Sequence, residues 1–147
     1  MTPEPPSKRL GIVRELMAAW GRHDIDGVMT AMHPDILWHY HVGSRPVVGV
    51  AAVEKFLERL SLHQLDLDWK LVRWAENEDC ILLEGTDDYV NPAGHRVQAP
   101  YMGVFEFDAS DRITAWRDYV DRAVMSIGED GSPLPDYLQA LVDRPAG

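Results

Sequence analysis

The sequence predicts an α+β fold, a cone-shaped α+β barrel in which three or four helices cover the concave face of a strongly curved, mostly antiparallel sheet. Three observations support this prediction. Helical spacing of apolar residues dominates the first 60 residues, a period of two dominates residues 65–121, and short polar turns separate the later segments. Helices followed by consecutive strands are typical of the α+β class. A sheet wrapped over helices in this way encloses an apolar pocket.

Two helices are predicted near the beginning of the chain. Ser7 can cap the first, whose apolar residues recur at helical spacing up to Trp20 and which ends at Gly21. Asp24 can cap a second, shorter helix that contains Met32. This helix is expected to stop at His33-Pro34, because the residue before a proline disfavours the helical conformation.

The remaining elements follow from periodicity and turn residues. Ile36 to Val42 is predicted to be a strand, and the glycines and proline of residues 43–49 predict a loop after it. A third helix has an apolar stripe formed by Val53, Phe56, Leu57 and Leu60. Four strands complete the sheet, and they begin at Leu65, Cys80, Val97 and Arg112.

The chain is predicted to form a single domain, residues 1–147. Residues 1–6 contain three prolines and are expected to be a disordered arm. Residues 7–125 form the barrel. Residues 126–147 are expected to be a largely irregular C-terminal tail, with one short helix between Tyr137 and Val142.

The composition argues against several classes of partner. The 24 acidic residues exceed the 14 basic ones, for a formal net charge of −10, whereas nucleic acids and anionic membranes require a basic face. No apolar run approaches the roughly 20 residues of a membrane-spanning helix, and no signal peptide is evident. The single cysteine, Cys80, can form no internal disulfide. We therefore expect a soluble, cytoplasmic protein that binds neither nucleic acid nor membrane.

The last predicted strand holds an unusual carboxyl group. Alternation places Trp116, Asp118 and Val120 on one face, so an acid stands between two apolar neighbours. Two interpretations are open. Asp118 is either a desolvated acid in a pocket or a surface acid paired with Arg117 or Arg122.

This strand and the preceding one carry a recognisable pattern. It consists of Gly103-Val104-Phe105-Glu106-Phe107 followed by Arg112-Ile113-Thr114-Ala115-Trp116-Arg117-Asp118-Tyr119-Val120-Asp121. The pattern resembles the nuclear transport factor 2-like superfamily, in the branch of limonene-1,2-epoxide hydrolase and the polyketide cyclases, and the resemblance spans Leu10 to Met125. It implies the cone-shaped fold, no cofactor, and a homodimer through the outer sheet face. Candidates for that face are Ile113, Ala115, Tyr119 and Trp69.

The resemblance also implies residue roles. Epoxide hydrolases of this branch use one aspartate to activate water and a second to protonate the epoxide oxygen, and Asp118 and Asp87 occupy these positions. The arginine that lies two residues before the second aspartate in the family is Gly85 here. The tyrosine and asparagine that hold the water align with Trp38 and Tyr40.

Without that arginine, one carboxyl group of the Asp87 and Asp118 pair should be protonated near neutral pH if the two approach each other. The reason is that two nearby buried carboxylates cannot both ionise without a large cost. Asp88 is the alternative to Asp87, since a shift of one residue exchanges the two faces of a strand. Tyr40 is a third candidate catalytic residue, as a donor to a substrate oxygen.

Candidate substrate-binding residues are the apolar and aromatic side chains expected at the pocket, several of them implied by the resemblance: Met17, Trp20, Trp38, Leu83, Gly85, Ala99, Tyr101, Trp116 and Val120. A plain core role is an alternative for these residues, because pocket and core are both apolar. His39 and His41 have the spacing of metal ligands, but no third ligand is evident, so no metal is expected. Both histidines are expected to face away from Trp38 and Tyr40.

Three functions remain open at this level. The first is a cofactor-independent enzyme that hydrolyses an epoxide in a small hydrophobic oxygenated molecule, with Asp118 as base and Asp87 as acid. The second is a proton-transfer isomerase or cyclase of the ketosteroid isomerase or polyketide cyclase kind, which needs no positioned water. The third is a non-catalytic binder of hydrophobic ligands.

Overall fold

The computed structural model, which describes residues 5–147, confirms the α+β class with a curved sheet of six strands. The elements are α1 (Lys8–Gly21), α2 (Ile25–Met29), β1 (Met32–His39), β2 (Val47–Val48), α3 (Val50–Ser61), β3 (Leu65–Glu76), β4 (Cys80–Val90), β5 (Arg96–Phe107), β6 (Ile113–Val120), α4 (Arg122–Glu129) and α5 (Asp136–Val142). Of the predicted disordered arm, residues 1–4 lie outside the described residues. No helix within residues 5–147 has both the length and the apolar character needed to span a membrane.

The long helices form where their caps and apolar stripes predict them. The Ser7 hydroxyl accepts the Leu10 backbone N–H at 3.0 Å and so begins α1. In α3, Val53 and Leu57 are fully buried against the sheet. The core lies between these two helices and the inward face of the strands.

The second helix is shorter than predicted. Asp24 caps it as expected, by accepting the Gly27 N–H at 3.0 Å, but the helix ends at Met29 and Met32 already belongs to β1. Pro34 therefore lies inside a strand. It falls where the pairing of β1 with β6 shifts register, between Met32 and Leu37, which is where a residue without an N–H is tolerated.

The sheet order is β2-β1-β6-β5-β4-β3, and the sheet is not closed into a full barrel. The meander of β3 to β6 is antiparallel as predicted, whereas β1 runs parallel to β6. The segment predicted as a loop at residues 43–49 contains the two-residue β2, which pairs with β1 at Leu37 and Trp38.

The register of β5 arranges the inward face at the centre of the sheet. Tyr101 lies opposite Gly85 of β4 and opposite Val120 of β6. Two residues further along β5, Gly103 lies opposite Asp118. Tyr101 and Asp118 therefore each lie opposite a glycine on the neighbouring strand.

Two of the four residues predicted on the outer face lie elsewhere. Ile113 is fully buried in the core, and Trp69 borders the cavity described below. Irregular pairing explains the first error, because β6 has an extra residue between Ile113 and Ala115. Trp69 shares its strand face with Leu67 and Leu71, which pack with the core. Ala115 is also buried, while Tyr119 is 48% exposed on the outer face, as predicted.

The C-terminal tail is more regular than the predicted irregular segment 126–147. Asp121 caps α4 by accepting the Ala123 N–H at 2.9 Å. Gly128 looks like a helix breaker in sequence, but a Cβ there would lie 2.8 Å from the Arg96 carbonyl oxygen, so it allows α4 to pack closely on β5. The predicted short helix forms as α5.

We expect Gly85→Ala to destabilise the fold by about 1–3 kcal/mol, because the added Cβ would lie 2.0 Å from the Lys70 carbonyl oxygen. Gly11→Ala is the matched control. Its Cβ would meet no atom within 4 Å, and alanine in α1 should add about 0.5–1 kcal/mol. Urea unfolding of both variants measures the difference. Equal stabilities would contradict the tight approach of β3 to β4.

Candidate active site

A small cavity opens between α1, α3, α4 and the inward face of the sheet. Its volume is about 40 Å³, and a buried water needs roughly 10–15 Å³ of such space, so it can hold about three waters. The lining residues are Trp20, Trp38, Tyr40, His41, Leu57, Leu60, Gln64, Trp69, Asp87, Trp116, Asp118, Val120 and Met125. The three predicted catalytic residues are all among them.

Stacked indole rings form one wall of the cavity. Trp116 lies between Trp38 and Trp69, with ring centroids 4.4 Å and 5.7 Å apart and interplanar angles of 20° and 13°. Phe105 supports Trp116 from the core at 5.1 Å. Because stacked rings leave little freedom of movement, this wall is rigid.

Asp118 is the acid expected from the strand pattern, and it lies in the pocket. Its Oδ1 accepts the indole N–H of the neighbouring Trp116 at 3.1 Å. Oδ1 also lies 3.2 Å from the position a Cβ would take on Gly103. The alternative surface ion pair does not form among the described residues, because Arg117 pairs with Glu106 and Arg122 with Glu129.

Asp87 is the second acid at the cavity. Asp88, the alternative candidate on the same strand, does not line it. Asp88 faces the opposite side of β4, where it forms an ion pair with Arg96 and accepts a hydrogen bond from Gln98 at 2.9 Å. Among residues 5–147, no side chain or backbone group donates a hydrogen bond to the Asp87 carboxyl group. The register of β4 therefore agrees with the choice of Asp87.

Both carboxyl groups are shifted toward their protonated forms. Burial raises the pKa of Asp87 to about 7. Burial, and after it the charge of Asp87, raise the pKa of Asp118 well above its ordinary range, while the Trp116 N–H acts in the opposite direction. Burial alone accounts for the shift of Asp87, so the sharing of one proton between the two acids stays a prediction.

Tyr101 occupies the space where a side chain at position 85 would extend. A Cβ on Gly85 would lie 2.9 Å from the Tyr101 hydroxyl oxygen, and the Lys70 carbonyl is closer still. The hydroxyl is buried and has no hydrogen-bond partner within the described residues. Burial and the charges of Asp87 and Asp118 raise the pKa of Tyr101, so this group is neutral. A side chain at position 85, such as the arginine of the family, would collide with Tyr101 and with the Lys70 carbonyl.

Gln64 is a cavity residue that the sequence reasoning missed. It lies three residues beyond the end of α3 and is only 8% exposed. Its Oε1 accepts the Trp20 indole N–H at 3.2 Å, and its Nε2 donates to the Tyr40 hydroxyl at 3.3 Å. A polar residue after a helix usually faces solvent, so no local pattern could have indicated its burial.

His41 also lies at the cavity, and the expectation that it faces away from Tyr40 is wrong. The two rings are in contact, with centroids 4.0 Å apart. The reason is that β1 ends at His39, so strand alternation does not extend to residue 41. Burial, and then the charge of Arg122, lower the pKa of His41 to about 4, so the imidazole is neutral at physiological pH.

The tautomer of His41 follows from its neighbour. Arg122 Nη1 lies 3.3 Å from Nε2, and because a guanidinium can only donate, Nε2 accepts and the proton is on Nδ1. Nδ1 is buried and has no partner among the described residues. Within residues 5–147, no group of three or more potential metal ligands is present.

The predicted substrate-binding residues divide into two groups. Trp20, Trp38, Trp116 and Val120 line the cavity. The others do not line it: Leu83 and Ala99 are fully buried, Gly85 and Tyr101 lie beneath the site, and Met17 borders a separate surface groove with Leu67 and Leu71. Substrate contacts by this second group stay predictions that the cavity lining does not support.

We expect Asp87→Asn to become more stable than the wild type as the pH rises. A folded pKa of about 7, raised from 3.8, gives the wild type stability that is complete below pH 4 and is lost as the pH rises through 7. Asparagine does not titrate, so the variant should gain about 1–3 kcal/mol at pH 9 relative to pH 4. Urea unfolding across this range measures the gain. Asp68→Asn, at an exposed aspartate, is the control, and parallel profiles for all three proteins would contradict the shift.

Three solved structures show how this architecture compares with known proteins. An LEH-like epoxide hydrolase from M. tuberculosis is 30% identical, with a TM-score of 0.70, and the match covers 82% of this chain and 87% of that one. An NTF2-like protein of unknown function from Burkholderia pseudomallei is 23% identical, with a TM-score of 0.75 and coverage of 84% and 98%. A putative SnoaL-like polyketide cyclase from Shewanella denitrificans is 15% identical, with a TM-score of 0.78 and coverage of 86% and 100%.

The sequence itself matches one family model. Residues 13–116 match the SnoaL-like domain, and no curated protein has a significant match to the chain. The matched segment extends from the middle of α1 into β6 and so includes Asp87 and most of the cavity wall. The predicted resemblance is confirmed, and the chain belongs to the SnoaL-like domain family, which has the nuclear transport factor 2-like fold.

Proposed function

We propose that the protein is a cofactor-independent enzyme that acts on a small, hydrophobic, oxygenated molecule, with epoxide hydrolysis as the lead reaction. The observation that supports this most is the pair of carboxyl groups, Asp87 and Asp118, beside one aromatic cavity. Their raised pKa values suit acid–base work near neutral pH. The LEH-like epoxide hydrolase at 30% identity favours this reaction over others.

The hydrogen bonds assign different roles to the two acids. The charge of Asp87 raises the pKa of Asp118, so ionisation of both buried carboxyl groups together is disfavoured. The Trp116 N–H stabilises negative charge on Asp118, while Asp87 receives no such donor within the described residues. On the strength of this hydrogen bond we assign Asp118 as the base and Asp87 as the proton carrier, although burial and the charge of Asp87 act in the opposite direction on the pKa of Asp118.

The reaction then balances without a cofactor. Asp118 takes a proton from a water while the water oxygen forms a bond to one epoxide carbon. The bond between that carbon and the epoxide oxygen breaks, and Asp87 gives its proton to the oxygen. The product is a diol, and transfer of the proton from Asp118 to Asp87 through solvent restores the starting state. A cavity with room for about three waters suits a compact substrate beside one water.

A second function uses the same groups without water. In a proton-transfer isomerase or cyclase, Asp118 would remove a proton next to a carbonyl group, and Tyr40 or Asp87 would stabilise the enolate oxygen. Two observations favour it. Tyr101 stands where a cation could assist an ionised pair, and Trp38 can only donate a hydrogen bond, so it cannot accept one from a bound water. A non-catalytic binder, in which the acids only orient a ligand hydroxyl, is the third possibility.

Isotope labelling separates these functions. Epoxide hydrolysis should incorporate one ¹⁸O atom from labelled water into each diol formed from a panel of small epoxides. An isomerase or cyclase should instead exchange solvent deuterium into a ketone without net hydration. Mass spectrometry of the products measures both, with protein unfolded in urea as the blank. Ligand binding without either signal would contradict the enzymatic proposal.

We expect Asp118→Asn and Asp87→Asn each to lower kcat/KM by about 10²–10⁴-fold, the usual contribution of a general acid or base. Asp88→Asn is the control, since that carboxyl group lies on the other face of β4. In the wild type, the rate should fall above about pH 7 as Asp87 loses its proton. This alkaline decline should be absent from the residual activity of Asp87→Asn. Full activity in either cavity variant would exclude the acid–base pair.

A further inference from the structure

Trp20, Gln64 and Tyr40 form a chain of hydrogen bonds at the cavity in which each residue donates to the next. Trp20 is the first donor. An indole N–H can only donate, and the Trp20 Nε1 lies 3.2 Å from Gln64 Oε1. The amide of Gln64 must therefore present its oxygen to Trp20. Its NH₂ group faces the other way.

The orientation of the Gln64 amide determines whether the Tyr40 hydroxyl accepts or donates. The Gln64 Nε2 lies 3.3 Å from the Tyr40 oxygen, and because an amide NH₂ only donates, the hydroxyl oxygen is the acceptor in this bond. The phenolic proton is then left without a partner, since no acceptor among residues 5–147 hydrogen-bonds to it. Gln64 is almost completely buried, so water cannot easily replace it in the network.

Tyr40 keeps this proton at working pH. Burial is the main cause that raises its pKa above the ordinary value, and the nearby Asp87 and Asp118 act in the same direction, against a smaller opposing effect of Arg122. Tyr40 lines the cavity together with both aspartates. Its O–H therefore remains a donor at the cavity while Asp118 supplies an acceptor.

We propose that Trp20 and Gln64 are positioning residues that fix the Tyr40 hydroxyl as a donor into the cavity, so that the ligand must present an acceptor oxygen, as in an epoxide, ether or ketone, to Tyr40. This inference rests on the proposed function only in taking the cavity as the ligand site. It adds a specificity rule. A ligand with a methylene group at that position leaves the buried O–H unpaired and binds more weakly.

A matched pair of inert ligands tests this rule without turnover. Cyclopentanone has a carbonyl oxygen where methylenecyclopentane has a CH₂ group of similar size. We expect the wild type to bind the ketone about tenfold more tightly than the hydrocarbon, the value of one neutral hydrogen bond. NMR titration measures both affinities. The carbonyl stretching frequency of the bound ketone should also fall, because a donated hydrogen bond weakens the C=O bond.

Two variants should abolish the preference. Tyr40→Phe removes the donor. Gln64→Glu supplies a carboxylate that only accepts, so the Tyr40 proton should turn toward residue 64. In both variants the two affinities should become equal within about twofold and the frequency shift should disappear. Tyr137→Phe and Gln139→Glu make the same changes on α5, away from the cavity, and should retain the preference.

The double variant with Tyr40→Phe and Gln64→Glu tests whether Gln64 acts through its hydrogen bond to Tyr40. If Gln64 acts through Tyr40, Gln64→Glu should cause no further loss of preference in the Tyr40→Phe background. Any of three results overturns the inference. They are an unchanged preference for the ketone in Tyr40→Phe, an equal additional loss of preference in the double variant, and failure of the wild type to bind the ketone. Because no step involves turnover, diol formation that depends on Asp118 would support the proposed function even if the inference fails. A confirmed preference without turnover would instead indicate a binder.

Discussion

The pairing of β4, β5 and β6 is the constraint on which the site depends. Their register sets Tyr101 opposite Gly85 and sets Asp118 opposite Gly103. A Cβ on Gly85 would collide with the Tyr101 ring at 2.8 Å, and one on Gly103 would lie in tight contact with the Asp118 Oδ1 at 3.2 Å. The large groups can then lie on the concave face, and the helices pack over them. A register shift of one residue would turn Asp87 and Asp118 to the outer face of the sheet, and the cavity would lose both carboxyl groups.

This packing determines the electrostatics. The space beside the aspartates is filled by the neutral Tyr101 side chain, and Arg117 and Arg122 pair with other acids. Among the described residues, the Trp116 N–H is the hydrogen-bond donor to the pair, and it stabilises negative charge on Asp118. Low polarity and mutual repulsion keep a proton on the pair near neutral pH. Raised carboxyl pKa values of this kind are what the proposed acid–base roles of Asp87 and Asp118 require.

The polar groups of the cavity wall depend on neighbours that can only donate. The Trp20 indole orients the Gln64 amide, which in turn orients the Tyr40 hydroxyl. In the same way, Arg122 fixes the tautomer of His41. The orientations of these donors and acceptors are thus fixed by Trp20 and Gln64, which line the cavity themselves, and by Arg122. Such preorganisation costs nothing at the moment of binding, and it discriminates between ligands by the polarity of one atom.

The sequence by itself determined the α+β class, the helix caps at Ser7 and Asp24, and the strand face that Asp118 shares with Trp116 and Val120, because caps and strand alternation are local properties of the chain. The choice of Asp87 over Asp88, by contrast, needed the observed register of β4. Tertiary structure alone decided the burial of Gln64, the position of His41 and the filling of the space over Gly85, since each depends on residues far away in the chain. The skipped residue in β6 that turns Ile113 inward belongs to the same class, because a bulge reflects the pairing of two strands and leaves little mark on either sequence.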